Sequence, residues 1–345
     1  DIPGVQGFTG QTFHSSQWDH SVDLAGKRVG IVGSGASAIQ IVPELAKTAG
    51  ELVVFQRSAP YIVSRPDRAY TQAEKRSFAR LPDTMAQLRE DIFCFGEYMF
   101  AQRRNVPTFI AEAKKMALDH LADQVPDPEL RAALTPDYAI GCKRVLIANT
   151  YYPAFNQDNV TLETSALASV DGGTAVAVSG NTYDLDVLIF ATGFEAPKPP
   201  VAHAIYGKDG VKLADQWDQG MQAYDSTAVP GFPYMFMVLG PNTGLGHHTM
   251  VFMIEAQVDY ILGALDHAKT NNLAAIEATP EAEAAYLAGI EARAIGTVWM
   301  EGGCKFWYRD PNSDRLTVLW PDLAYAFRDE NGTFHPEGYV GTAAE

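Results

Sequence analysis

The sequence predicts an α/β fold, and three observations carry that expectation. An apolar run at 27–32 leads into a glycine-punctuated turn, an apolar-faced helix and a second apolar run at 51–55. Residues 67–136 then shift to a charged, Ala- and Leu-rich composition with apolar positions at helical spacing. Short apolar runs return between 145 and 190, separated by Gly- and Asn-containing turns.

Taken in order, residues 1–26 are rich in Gly, Thr, Ser and His and read as an ordered linker. Val29, Gly30, Ile31 and Val32 form a short continuous apolar run, which suits a strand buried on both faces of a parallel sheet. After the turn at 33–38, Ile39, Ile41, Val42, Leu45 and Ala46 mark one face of a helix that tolerates Pro43 in its first turns. In 67–136, Phe78, Met85, Leu88, Ile92, Phe93, Phe109 and Met116 predict a helical insertion that closes near Pro126 and Pro128. Strands follow at 145–147, 160–162, 175–178 and 185–190, with turns at 171–173 and 179–181. Beyond a loop-rich stretch come a strand candidate at 233–239, helices at 250–271 and 280–296, and an aromatic-rich end at 297–339. The domain expectation is therefore a nucleotide-binding unit from 27–66 and 137–189, interrupted by the 67–136 insertion, with 190–345 belonging to a second domain.

Composition bounds the function. A chain of 345 residues fits roughly two domains of ~150 residues. Lys plus Arg number 26 against 42 Asp plus Glu, so the net charge is 26 − 42 = −16. That surface argues against duplex nucleic acid or an anionic membrane as main partner, while leaving room for a local basic pocket. Cys94, Cys142 and Cys304 lie far apart with no CxxC pair, which predicts no zinc site, no disulfide framework and a reducing, cytoplasmic setting. His247 and His248 have no carboxylate at ligand spacing, so no metal is expected. No apolar run reaches the ~18 residues of a membrane span, and no signal peptide is expected. Oligomeric state is left open.

The chemistry starts at Gly33-Ser34-Gly35-Ala36-Ser37-Ala38. Between a strand and a helix, the first glycine permits a tight turn, the second admits a pyrophosphate close to backbone, and the small Ala38 lets helix and strand pack. The helix N-terminus then offers N–H groups to the phosphates. Dinucleotide sites usually place a carboxylate about 20 residues on, for the ribose hydroxyls. Here the second strand ends Gln56-Arg57-Ser58. Arg57 and Ser58 suit a ribose 2′-phosphate, which favours NADP(H) over NAD(H).

Phe8-x-Gly10-x-x-x-His14-x-x-x-Trp18-Asp19 precedes this motif and resembles the fingerprint of class B flavin-dependent monooxygenases. Its closing Trp18-Asp19 pair resembles the Baeyer–Villiger branch rather than the N-oxygenating branch. The 54–60 stretch resembles that family's NADP-selecting loop, and Gly141-Cys142-Lys143-Arg144 resembles the segment carrying its catalytic arginine. Residues 186–194, with Ala191-Thr192-Gly193, are similar to its second ATG motif. Gly240-Pro241-Asn242-Thr243-Gly244 resembles its flavin-proximal loop, and Gly302-Gly303-Cys304-Lys305 with Trp307-Tyr308 also matches in order, although Phe306 stands where the family often has Ser.

The resemblance implies FAD and NADP(H) as cofactors and a ketone or related small organic molecule plus O2 as substrates. In such enzymes NADPH reduces FAD, a flavin peroxide forms, and one oxygen is inserted beside the carbonyl. It implies that Arg144 is the catalytic cation, that Lys143 joins Arg57 and Ser58 on the 2′-phosphate, and that Trp307 serves the nicotinamide ribose. Pro241, Asn242, Thr243 and Gly244 would meet the flavin, while His14 orders the linker. It also implies a Rossmann-like NADP domain and the C-terminal part of an FAD-binding Rossmann-like domain. The family's earlier GxGxxG, and the carboxylate expected beside its catalytic arginine, have no counterpart in these 345 residues. The expectation is a longer enzyme. The alternatives are an N- or S-oxygenating relative and a short nucleotide-binding product without catalysis.

Overall fold

The computed structural model describes residues 2–303 and 307–344. Cys304, Lys305 and Phe306, part of the 302–308 resemblance, lie outside the described residues. The chain divides into two compact units, Asp1–Arg68 with Ala111–Phe194 and Ala69–Ile110 with Glu195–Glu345.

The first unit is built on five parallel strands. They are β1 (Gln11–His14), β2 (Arg28–Val32), β3 (Glu51–Phe55), β6 (Val160–Glu163) and β10 (Val187–Phe190), in the order β1-β10-β2-β3-β6. Two short strands, β4 (Ile62–Val63) and β5 (Leu146–Ile147), pair in parallel beside them, and β7 (Leu167–Asp171), β8 (Thr174–Ala177) and β9 (Thr182–Asp184) form an antiparallel meander. Continuous apolar runs are required here because both faces of the sheet are covered. Val29, Ile31, Leu52, Val54 and Ile189 pack with helix α1 (Ala38–Leu45), while Val53, Phe55 and Leu188 pack against Leu167, Val170 and Ala175 of the meander. The 11–14 stretch, expected inside a linker, is instead the edge strand beside β10. Its entry requires Gly10, since a Cβ there would lie 2.2 Å from the Asp186 carbonyl oxygen.

The 67–136 segment, expected as one insertion, is shared between the units. Helices α2 (Gln72–Arg80), α3 (Pro82–Tyr98) and α4 (Phe100–Arg103) fall in the second unit. The division falls within α5 (Pro107–Gln124), whose Leu121 joins Val125 and Leu134 in the core of the first unit. Short helices α6 (Pro128–Ala133) and α7 (Tyr151–Ala154) follow, the latter burying Tyr151 and Tyr152 in the same core. Apolar residues on α5 thus have a core to join, which explains the split physically.

The second unit continues with α8 (Leu213–Gln216), the long α9 (Met250–Thr270), α10 (Pro280–Ala294), α11 (Val298–Glu301) and α12 (Ala324–Asn331). An antiparallel pair, β11 (Leu273–Ala278) and β12 (Tyr339–Ala343), completes it. Met253 and Ala256 of α9 pack with Trp320, Phe327, Tyr286 and Ile290. The strand expected at 233–239 does not form, and only a single bridge, Ala228 to Phe236, occurs there. Tyr234 and Leu239 adopt left-handed backbone (φ 54° and 60°), which an extended run cannot hold.

Candidate functional site

At the carboxyl end of β2, the Gly33 N–H donates to the Phe55 carbonyl at 3.1 Å, so the turn is anchored to the neighbouring strand. Gly33 has φ 117°, and a Cβ on it would sit 2.5 Å from the Ala191 carbonyl oxygen. Both facts demand glycine. Gly35 differs, because no protein atom lies within 4 Å of its absent Cβ and the space before the turn is open. The Ile39 N–H returns to the Gly35 carbonyl and the Ile41 N–H to that of Ser37, which starts α1, while the Ser37 side chain makes no cap bond. Gln40 donates to the Ala36 carbonyl at 2.7 Å, and Ala38 is fully buried against the sheet.

A cationic cluster adjoins this turn. The Ser34 hydroxyl donates to the Ser58 carbonyl at 3.0 Å, and the Lys143 ammonium donates to the Ser58 hydroxyl at 3.1 Å. That ammonium also lies 4.4 Å from the ring centroid of Tyr138, a neighbour that sequence reading gave no reason to select. Burial, and then the Arg57 charge, hold the Lys143 ammonium below its ordinary pKa. Arg57 itself is exposed. Gln56, standing where a ribose-binding carboxylate would be, is buried and donates to the Ala133 carbonyl at 3.0 Å. Two cations and a hydroxyl beside an open glycine turn fit a phosphate dianion. NADP therefore fits the residues present.

Arg144, the next residue after Lys143, is exposed on the stretch entering β5. Ala191 follows β10, is buried and donates to the Val32 carbonyl at 2.9 Å. Thr192 and Gly193 are exposed, and Gly193 has φ 94°. The fingerprint residues flank β1. Phe8 packs on the meander core, and Trp18 meets Phe13 edge-on at 5.0 Å. The Asp19 carboxylate accepts from the Ser21 hydroxyl at 2.6 Å and N–H at 2.9 Å, which lowers its pKa. His14 Nδ1 accepts from the Ser16 N–H at 3.2 Å, and its ring meets Phe194 at 5.6 Å. The first unit thus links the 33–38 turn to Ser58 and Lys143 by hydrogen bonds, with Ala191 packed against Gly33.

In the second unit, Pro241, Asn242 and Thr243 are buried. Asn242 adopts φ 56° and its amide donates to the carbonyls of Leu316 (2.6 Å) and Leu319 (3.0 Å). Gly244 exchanges backbone bonds with Val318 and Trp320 at 2.8 Å, and the Thr243 hydroxyl donates to Gly240. The side chains of Asn242 and Thr243 and the backbone of Asn242 and Gly244 thus hold the loop in place. The sequence holds no second glycine fingerprint of the 33–38 kind. Trp307 is 49% exposed and rests on buried Tyr308 at 4.4 Å.

Among the described residues, no group of three or more His, Cys, Asp or Glu is placed to hold a metal, and no helix is long and apolar enough to cross a membrane. Cys142 is buried.

The sequence matches the family described as flavin-binding monooxygenase-like over residues 1–77. A Baeyer–Villiger monooxygenase of Pseudomonas aeruginosa is 39% identical over 98% of this chain and 64% of its own length. Another, of Streptomyces coelicolor, is 40% identical over 96% of this chain and 64% of its own length. The chain thus spans about 64% of the length of these curated relatives. Among solved structures, a cyclohexanone monooxygenase from Rhodococcus bound to NADP+ superposes with a TM-score of 0.84 at 27% identity, covering 100% of this chain and 72% of its own.

Proposed function

We propose, since this chain belongs to the Baeyer–Villiger monooxygenase family of flavin-binding monooxygenases, that it carries the NADP-binding part and one flavin-contacting part of an enzyme. That enzyme inserts one oxygen atom of O2 beside a ketone carbonyl, converting ketone, O2, NADPH and a proton into ester, NADP+ and water. The observation that carries the reading is the Lys143–Ser58 contact at 3.1 Å beside Arg57 and the Gly33 turn. It supports selection of the nicotinamide dinucleotide that bears a 2′-phosphate.

In this reading the turn Gly33–Ala38 and the N-terminus of α1 receive the pyrophosphate. Arg57, Ser58 and Lys143 hold the 2′-phosphate, and Gly193 lets the chain after β10 turn beside the nucleotide. Hydride acceptance and activation of O2 are the chemistry that FAD supplies when bound. Arg144 provides a guanidinium cation for the oxyanion that develops on the substrate carbonyl. The loop Pro241–Gly244 faces the flavin, and Trp307 presents an indole N–H to the nicotinamide ribose. Phe8, Gly10, His14, Trp18 and Asp19 set β1 against β10 and so fix where Ala191–Gly193 emerges.

The test is ketone-dependent NADPH oxidation by the full-length protein, with ester identified as product. Arg144→Ala lowers turnover by about 10²–10³-fold, the range for losing an oxyanion-stabilising donor. Ester formation at the parent rate by that variant overturns the role given to Arg144. Paired ketone and sulfide substrates separate oxygen insertion from S-oxygenation.

A further inference from the structure

Arg103, at the end of α4, is a buried cation that has no counter-charge among the described residues. It is 7% exposed, and among the described residues its guanidinium meets oxygens of neutral groups rather than a carboxylate. Its Nε donates to the Gly246 carbonyl at 3.1 Å, its Nη2 donates to the same oxygen, and its Nη1 donates to Gln102 Oε1 at 3.3 Å. Burial pulls its pKa down to about 10. A charge kept in such a place is costly unless its hydrogen bonds serve something.

Three further contacts converge on the same stretch. A Cβ on Gly246 would lie 2.7 Å from both Arg103 Nε and Trp299 Cζ2, so the glycine is needed for this approach. The buried His247 ring faces Glu97 Oε1 at 3.4 Å and rests on Phe100 at 4.9 Å. Glu97 also accepts from the N–H groups of Ala324 (2.9 Å) and Tyr325 (3.2 Å), which fixes its carboxylate at the start of α12. Helices α3 and α4 therefore grip residues 246–247 with a cation, an anion and an aromatic ring. Two donors on the Gly246 oxygen fix the plane of the peptide joining it to His247, two residues after the Pro241–Gly244 loop.

We propose that Arg103 is a positioning residue which, with Glu97, locks the Gly246–His247 peptide and through it the conformation of the Pro241–Gly244 loop. The inference rests on the reading of that loop as flavin-facing. Replacing Arg103 frees the peptide to rotate, weakens FAD binding and leaves the nucleotide cluster at Lys143 untouched.

The experiment is amide hydrogen exchange together with FAD and NADPH titration on the full-length protein and its Arg103→Met, Arg103→Lys and Gly246→Ala variants. Expected for Arg103→Met is exchange at 244–248 faster by about tenfold or more, the loss of a charge-assisted hydrogen bond. FAD affinity should fall by a similar factor, with NADPH affinity and exchange in β2 and β3 unchanged. Arg103→Lys, which keeps the charge with one donor atom, should fall between parent and Met variant. Unchanged exchange at 244–248 overturns the lock. Faster exchange with unchanged FAD affinity overturns its service to the flavin. If Arg103→Met loses protection throughout, Arg103→Lys and Gly246→Ala decide by the same comparison. Failure of the functional reading shows separately, as absence of FAD binding by the parent protein.

Discussion

Lys143 and Ser58, 85 positions apart, meet through a 3.1 Å hydrogen bond from ammonium to hydroxyl. The pairing of β4 with β5 makes this possible, since the Leu146 N–H donates to the Tyr61 carbonyl at 2.8 Å and draws the two loops together. Burial and the nearby Arg57 charge both disfavour the Lys143 cation. An arriving phosphate dianion relieves that strain electrostatically, so the cluster is poised for an anion.

Lys143→Ala should therefore raise the KM for NADPH by about 10–100-fold, corresponding to ~1.5–3 kcal/mol for a charged hydrogen bond. The KM for NADH, which lacks the 2′-phosphate, should change little. Steady-state kinetics with both coenzymes on the full-length protein checks this. An equal loss for both would mean that Lys143 does not read the phosphate.

Gly33→Ala should disable the turn. The new methyl would lie 2.5 Å from the Ala191 carbonyl at a backbone φ of 117°. We expect destabilisation of about 1–3 kcal/mol from backbone strain, with more from the clash, and loss of NADPH binding. Denaturant unfolding and coenzyme titration measure the two effects. Gly35→Ala, where no protein atom is near, should keep the stability and lose only coenzyme affinity.

Glu163 should set part of the acid limb of stability. Burial pushes its carboxyl up, but hydrogen bonds from Asn181, Ser165 and Tyr183 outweigh burial and bring its pKa down to about 2. The folded value thus lies below the unfolded one near 4.5. Its stabilisation is present above pH ~4.5 and is lost as pH falls toward ~2. Glu163→Gln should cost about 2–3 kcal/mol at pH 7 and flatten the decline over that window, as read by denaturant midpoints.

Glu283 should act in the opposite sense. Burial raises its pKa to about 7, only partly offset by Gln222, which donates at 2.9 Å, and by Arg315. The folded state therefore holds a proton that the unfolded chain releases near pH 4.5. Stability falls as pH rises from ~4.5 to ~7, and the full penalty stands above that. Glu283→Gln should stabilise the protein at pH 8 by up to about 3 kcal/mol and be near neutral at pH 4. Equal effects at both pH values would remove ionisation as the cause.

The chain order of residues settled a good deal by itself. A continuous apolar run, two glycines, a small residue and an apolar-faced helix specify a strand–turn–helix unit locally, because backbone freedom and side-chain period are local properties. The absence of a carboxylate after β3 is equally local, and it points to the 2′-phosphate from Gln56-Arg57-Ser58 alone.

What needed the tertiary structure is what depends on distant partners. Gln11–His14 is short and half polar, and it becomes a strand only because β10, more than 170 residues on, supplies its hydrogen bonds. The 69–110 and 111–136 stretches look alike in composition, yet they join different cores. The residue order gives no sign that the Asn242 amide donates to the carbonyls of Leu316 and Leu319, more than 70 positions on. Arg103 carries no motif at all. Its meaning comes from burial and from the Gly246 carbonyl brought to it by folding, since desolvation and hydrogen-bond partnership are set by three-dimensional neighbours and leave no period in the sequence.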